Sequence, residues 1–100
     1  MPNSADYGRQ SSELRSLSKN PAIDFAFTRH AAERMMQRQV TKLDVLAALR
    51  NGRVIDAGLR EGETSWLAAG DDLDGRALRI VVVPYPSENV IKVVTVYEPD

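Results

Sequence analysis

The sequence predicts an α+β fold in which two N-terminal helices pack on a four-stranded antiparallel sheet. Three observations point there. Two capped, amphipathic segments lie between Thr28 and Asn51, and beyond them the hydrophobic period shortens to that of strands. The strand-like runs are joined by connections too short to hold crossover helices. A chain of 100 residues makes one domain, large enough for a modest core without covalent staples. Residues 1–24 read as a flexible or partly helical extension, and residues 25–100 as a single α+β domain.

Residues 1–20 are polar and rich in Ser and Asn. Within them "SSELRSLSK" suits either a short helix, with Leu14 and Leu17 three apart, or a frayed tail. Pro21 closes this region. "AIDFAF" alternates weakly, with Ile23, Phe25 and Phe27 on one side if extended, and leads into the first helix as an anchoring segment. Thr28 is a good N-cap, because its hydroxyl can accept a hydrogen bond from a free amide of the first turn. The helix then runs from about Arg29 to Arg38, with Ala31, Ala32, Met35 and Met36 supplying its apolar side. In "VTKLDVLAALRNG" Thr41 caps, Asp44 stands at the third helical position, and Val40 can staple against Val45. Leu43, Leu46, Ala47 and Leu49 form the expected buried stripe, and Gly52 the left-handed stop.

Four runs of strand formers follow: "RVIDAG", "ETSWLAAG", "RALRIVVVP" and "VIKVVTVYE". "LREG", "DDLDG" and "PYPSEN" connect them, which places Tyr85, between two prolines, in a loop. Leu78, Ile80 and Val82 share one face of the third strand, and Arg79, Val81 and Val83 the other. Unbroken alternation in the last strand sets Ile91, Val93, Thr95 and Tyr97 against Val90, Lys92, Val94 and Val96. Both faces are fairly apolar, yet two helices cover only one. The second face is either buried within the monomer or covered by the N-terminal segment, a second copy or another protein.

The formal charge is −1, which counts against nonspecific nucleic-acid binding. The charge is uneven. Arg29 to Arg53 holds six Arg or Lys against Glu33 and Asp44, whereas Val54 to Gly75 holds six acids against Arg60 alone. A positive edge on one element can bind phosphate while the whole molecule stays near neutral. The chain has no cysteine, so disulfides and thiolate metal sites are excluded. No apolar run approaches the roughly 20 residues of a membrane span, and the N-terminus lacks the apolar centre of a secretory signal. A cytoplasmic protein with no membrane partner is expected.

"TRHAAERMMQRQVT" is the stretch most suggestive of chemistry. His30, Arg34 and Arg38 recur every four residues and form one tilted row on a helix. Guanidiniums can grip a phosphate through paired donors, and an imidazole can move a proton near neutral pH. The same row also suits the solvated side of an ordinary helix. His30 and Glu33 lack further His or Cys to complete a metal shell, so no metal or cofactor is expected. No Gly-rich phosphate loop or nucleophile elbow is present. Trp66 reads as core packing, with base stacking as the alternative. Tyr97 and Glu98 end the last strand, where a side chain can escape into a cleft.

"FTRHAAERMMQRQVTKLDVLAALRNGRVI", followed by strands ending in "VIKVVTVYE", resembles the bacterial domain-of-unknown-function family numbered 4258. His30, Arg34, Met35, Arg38, Val45, Leu49 and Gly52 fall on its pattern. That family is similar in turn to the RelE-like and barnase-like small folds, commonly metal-independent ribonucleases held by an antitoxin. The resemblance implies a metal-independent endoribonuclease of toxin type, with RNA as substrate and an antitoxin or other small protein as partner. His30 would be general base or acid, Arg34 and Arg38 would hold the phosphate, and Tyr97 or Glu98 would assist. The alternative reading is a noncatalytic protein-interaction module using an apolar sheet face, with a homodimer as one form of it.

Overall fold

A computed structural model describes residues 6–99 of the chain. The elements run α1 (Gly8–Lys19), β1 (Asp24–Phe27), α2 (Arg29–Arg38), α3 (Lys42–Arg50), β2 (Arg53–Arg60), β3 (Glu63–Asp71), β4 (Ala77–Tyr85), a 3-10 turn at Pro86–Glu88, and β5 (Val90–Tyr97). The sheet order is β1-β5-β4-β3-β2. The β1–β5 pair is parallel and the others are antiparallel. The architecture is α+β, but the expected two helices on a four-stranded antiparallel sheet must be corrected to three helices on a five-stranded mixed sheet.

Both additions have a physical cause. "AIDFAF" does more than anchor the first helix: Asp24 to Phe27 pair in register with Val90 to Val93 and add an edge strand. The pair is parallel because the rest of the domain forms the crossover between its strands. The third helix comes from the polar N-terminal segment. Leu14 of α1 is fully buried in the same core cluster as Val45, Leu49, Val54 and Trp66. Polar contacts tie α1 to the outer side of β2. The Val54 amide donates to Ser11 Oγ at 2.8 Å, and Arg15 Nη1 donates to the Gly52 carbonyl at 3.0 Å. A sheet edge that would otherwise offer free backbone groups is thereby covered in part.

The two later helices start as their caps require. Thr28 Oγ1 accepts from the Ala31 amide at 3.0 Å. Thr41 and Asp44 form a reciprocal box, each accepting from the other's backbone amide. The buried stripe is narrower than expected on α2 and rotated on α3. On α2 only Ala31 and Met35 are buried, with Ala32 and Met36 exposed; on α3 Asp44, Val45, Ala48 and Leu49 are buried, while Leu43 is exposed. Leu43 lies two residues from Val45, about 200° around the helix. Gly52 is not a left-handed stop: Asn51 caps α3, and Gly52 has no positive φ. It is needed for closeness instead, since a Cβ there would meet the Ala48 carbonyl oxygen at 2.5 Å and that of Ala69 at 2.7 Å.

A bulge changes which residues of β5 face the helices. Val82 pairs with Val93 but Val81 with Thr95, so Val94 is the extra residue. Beyond it the alternation expected for an unbroken strand reverses. Val96 enters the core, and Thr95 and Tyr97 turn to the opposite face beside Val81 and Arg79. All three helices contribute to one core on one face of the sheet, where Trp66 is also buried. Among the described residues no helix packs over the other face, although Ala69 and Val83 on it are buried, and no helix is long and apolar enough to cross a membrane.

Candidate functional site

The uncovered face carries a three-residue polar cluster at one end. Glu63 opens β3, just after a two-residue hairpin turn in which Glu61 and Gly62 both have positive φ. Tyr85 ends β4, and Lys92 lies near the start of β5. The antiparallel meander brings these three strand ends together. Tyr85 Oη donates to Glu63 Oε2, and Lys92 Nζ donates to Glu63 Oε1 at 3.1 Å. Lys92 Nζ also stands 5.9 Å from the centre of the Tyr85 ring.

These contacts set the charge states. The Tyr85 hydroxyl first, and then Lys92, hold the Glu63 carboxyl below its ordinary range. The carboxylate in return raises both Lys92 and Tyr85. Near neutral pH the cluster therefore holds an ionised carboxylate, a charged ammonium and a protonated phenol. It borders a hollow of about 160 Å³ whose walls include Thr28, Arg60, Val83 and Val94. Arg60 also lines the adjoining hollow of about 270 Å³, together with Ser65, Leu67, Val81 and Tyr97. Enclosed small-molecule pockets typically hold about 300–1,000 Å³. Shallow adjoining hollows on a sheet face suit an extended ligand better.

The residues singled out in the sequence are dispersed. Tyr97 lies on this open face. Arg38 and Glu98 line a separate hollow at the C-terminal end of α2, together with Gln37 and Gln39. His30 and Arg34 are exposed and line none of these hollows. Among the described residues no hydrogen bond or ion pair holds the side chain of His30, Arg34 or Arg38. His30 is the second residue of the helix whose cap, Thr28, walls the Glu63 hollow. Glu63, Tyr85 and Lys92 were not among the residues expected to form a site, and Tyr85, expected in a loop, is the last residue of β4. Their only sequence signal is position at successive strand ends, which acquires meaning once the register is known.

Glu98 is engaged structurally by Arg76, whose Nη1 lies 4.0 Å from Glu98 Oε1. The same guanidinium donates to the Arg38 and Gln39 carbonyls at 3.0 and 3.2 Å, clasping the end of α2. Its Nε donates to Asp72 Oδ2 at 2.9 Å. Burial pushes the Asp72 carboxyl up, but hydrogen bonds from Arg76 and the Asp74 amide outweigh it, and the net shift is downward. A carboxyl lowered on folding stabilises the fold above its unfolded value, near pH 4. That contribution is lost as pH falls through the lower folded value. Asp72→Asn is therefore expected to lower the melting temperature at neutral pH and to flatten its decline below about pH 4. Scanning calorimetry across pH checks this, and a decline matching that of wild type would contradict it.

Among the described residues no three His, Cys, Asp or Glu side chains come close enough to share a cation. Fold and site together define a small α+β domain with helices behind a mixed sheet and a polar cluster on the sheet's open face. The chain belongs to the family described as a domain of unknown function, DUF4258, which matches residues 27–98. No curated protein and no solved structure gives a significant match.

Proposed function

We propose that the chain is a metal-independent endoribonuclease of toxin type, with the RNA strand lying across the open sheet face. The observation supporting this reading is the Glu63–Tyr85–Lys92 cluster, held beside Arg60 on a face no helix covers. In this reading Glu63 takes the proton of a ribose 2′-hydroxyl, and the freed oxygen attacks the adjacent phosphorus. The bond from phosphorus to the 5′-oxygen breaks, and that oxygen takes a proton from the His30 imidazolium. The products are a 2′,3′-cyclic phosphate and a 5′-hydroxyl. Lys92 and Arg60 oppose the charge that builds on the phosphoryl oxygens. Tyr85 is a positioning residue that orients Glu63 and keeps it ionised. An antitoxin seated on the same face would block the site.

The test is cleavage of single-stranded RNA in buffer containing a chelator. Glu63→Gln is expected to slow cleavage by about 10²–10⁴-fold and His30→Ala by about 10²-fold. Because the Tyr85 hydroxyl lowers the Glu63 pKa, Tyr85→Phe should move the acid limb of the pH–rate profile to higher pH. His30→Ala at the wild-type rate removes His30 from the mechanism. Wild-type protein that cleaves no RNA ends the reading.

Half-buried Leu67, Val81 and Val94 on the uncovered face favour a second reading, a noncatalytic protein-interaction module. Its simplest form is a homodimer through the sheet. A particle that stays monomeric in light scattering and cleaves RNA rules it out.

A further inference from the structure

The far end of the open face, away from Glu63, carries two arginines with a gap between them. Arg53 of β2 pairs with Ala69 of β3, Ala69 with Arg79 of β4, and Arg79 with Tyr97 of β5. Residues opposite one another in a ladder share a face, so these four form one transverse row. Neighbouring strands lie about 4.8 Å apart, which sets the Arg53 and Arg79 backbones roughly 10 Å from each other. Ala69 between them is 4% exposed and fills little of that space. The result is a hollow of about 320 Å³ floored by a methyl group and flanked by two guanidiniums.

Among the described residues neither arginine is tied up in an ion pair: Arg53 and Arg79 have no carboxylate within 4.0 Å, and the polar contact of Arg79 is Nη1 to the Leu78 carbonyl at 3.3 Å. Asp71 also lines the hollow but is exposed and reaches neither arginine. Two guanidiniums free of ion pairs on either side of a small gap can each supply paired donors to a tetrahedral oxyanion.

We infer that Arg53 and Arg79 form a phosphate subsite over Ala69 that holds a backbone phosphate of single-stranded RNA at a distance from the point of cleavage. The inference rests on the proposed ribonuclease reading and gives it an extent. Val83, the β4 partner of Lys92, lies four residues from Arg79, roughly 14 Å along the strand. At about 3.4 Å per nucleotide in a stacked strand, the subsite stands about four nucleotides from the Glu63 cluster, and fewer in an extended strand. The face then grips RNA at two poles, with apolar Leu67 and Val81 between them.

The test measures binding of a fluorescein-labelled, 2′-O-methyl oligoribonucleotide of twelve residues, which cannot be cleaved, by anisotropy over a range of salt. The double variant Arg53→Ala/Arg79→Ala is expected to bind about tenfold more weakly. Its slope of log affinity against log salt should be shallower by about 0.7, the loss of one phosphate contact on a single strand. Arg9→Ala/Lys19→Ala removes the same charge from α1 and should leave affinity and slope near wild type. Equal losses in the two double variants, or wild-type binding by Arg53→Ala/Arg79→Ala, would overturn the subsite. Parallel cleavage of the ribose form separates the two ideas. Arginine-dependent binding without cleavage keeps the subsite and ends the nuclease reading. Cleavage with arginine-independent binding does the reverse, and a wild-type protein that neither binds nor cleaves ends both.

Discussion

Gly70→Ala is expected to destabilise the domain by about 3 kcal/mol or more, at the upper end of overpacking costs. A Cβ at this position would lie 2.8 Å from the Ala48 carbonyl carbon, 3.0 Å from its Cα, and closer still to its oxygen. These are backbone atoms of α3, so no side chain can rotate away. Gly52 meets the same Ala48 carbonyl, and the two glycines form the seam along which α3 seats on the sheet. To admit a methyl group α3 must lift, drawing Val45, Ala48 and Leu49 out of the core they share with Trp66 and Ala68. Urea unfolding checks the prediction, with Gly58→Ala as the control. Gly58 lies in β2 at negative φ, and nothing stands within 4 Å of its added methyl. Its replacement should be neutral, or stabilising by up to about 1 kcal/mol through the unfolded chain. If Gly70→Ala unfolds at the wild-type urea concentration, α3 does not rest on β3 at this point.

How much of this was legible follows from where each signal resides. Thr28 and the Thr41–Asp44 box are local devices, complete within four residues, and both helices begin where they indicate. The runs that became β2 to β5 are long, those of β4 and β5 are rich in β-branched residues, and the turns between them are short. The parallel β1 strand is different. Four residues of alternating sequence acquire their meaning from a partner some sixty residues away, and no local pattern encodes that partner. The bulge at Val94 is equally silent, because Val-Val-Thr-Val reads as alternation in either phase; the register with β4 decides that Val96 is inside and Tyr97 outside. The site shows the same division. The His30–Arg34–Arg38 row was visible as a helical period. Glu63, Tyr85 and Lys92 come from three separate runs and become neighbours only through strand pairing. Arg53 and Arg79 likewise meet across Ala69 through the ladder alone.

Leu14→Ala is expected to cost about 2–5 kcal/mol, the range for emptying a buried leucine site. The prediction bears on what the folded unit is. The family match begins at Phe27, after α1, which would allow α1 to be an accessory. Its packing argues otherwise. Leu14 is 0% exposed and shares the core cluster with residues of α3 and the sheet. Ser11 occupies the Val54 amide, and Arg15 occupies the Gly52 carbonyl. Removing the leucine side chain leaves a cavity between α1, α3 and β2, where the surrounding backbone is fixed by the sheet and by the close α3 seam. Collapse to fill it is therefore limited, which puts the cost above that of a peripheral contact. Leu43→Ala provides the comparison, since that side chain is 65% exposed and its loss should stay within about 0.5 kcal/mol. Urea denaturation of the two variants measures the difference. Hydrogen exchange at the Val54 amide should show faster opening in Leu14→Ala and no change in Leu43→Ala. Equal stabilities in the two variants would place α1 outside the cooperative unit and begin the fold at β1. A large difference would mean that the open face, with both of its charged poles, is held in shape partly by a helix on the far side of the sheet.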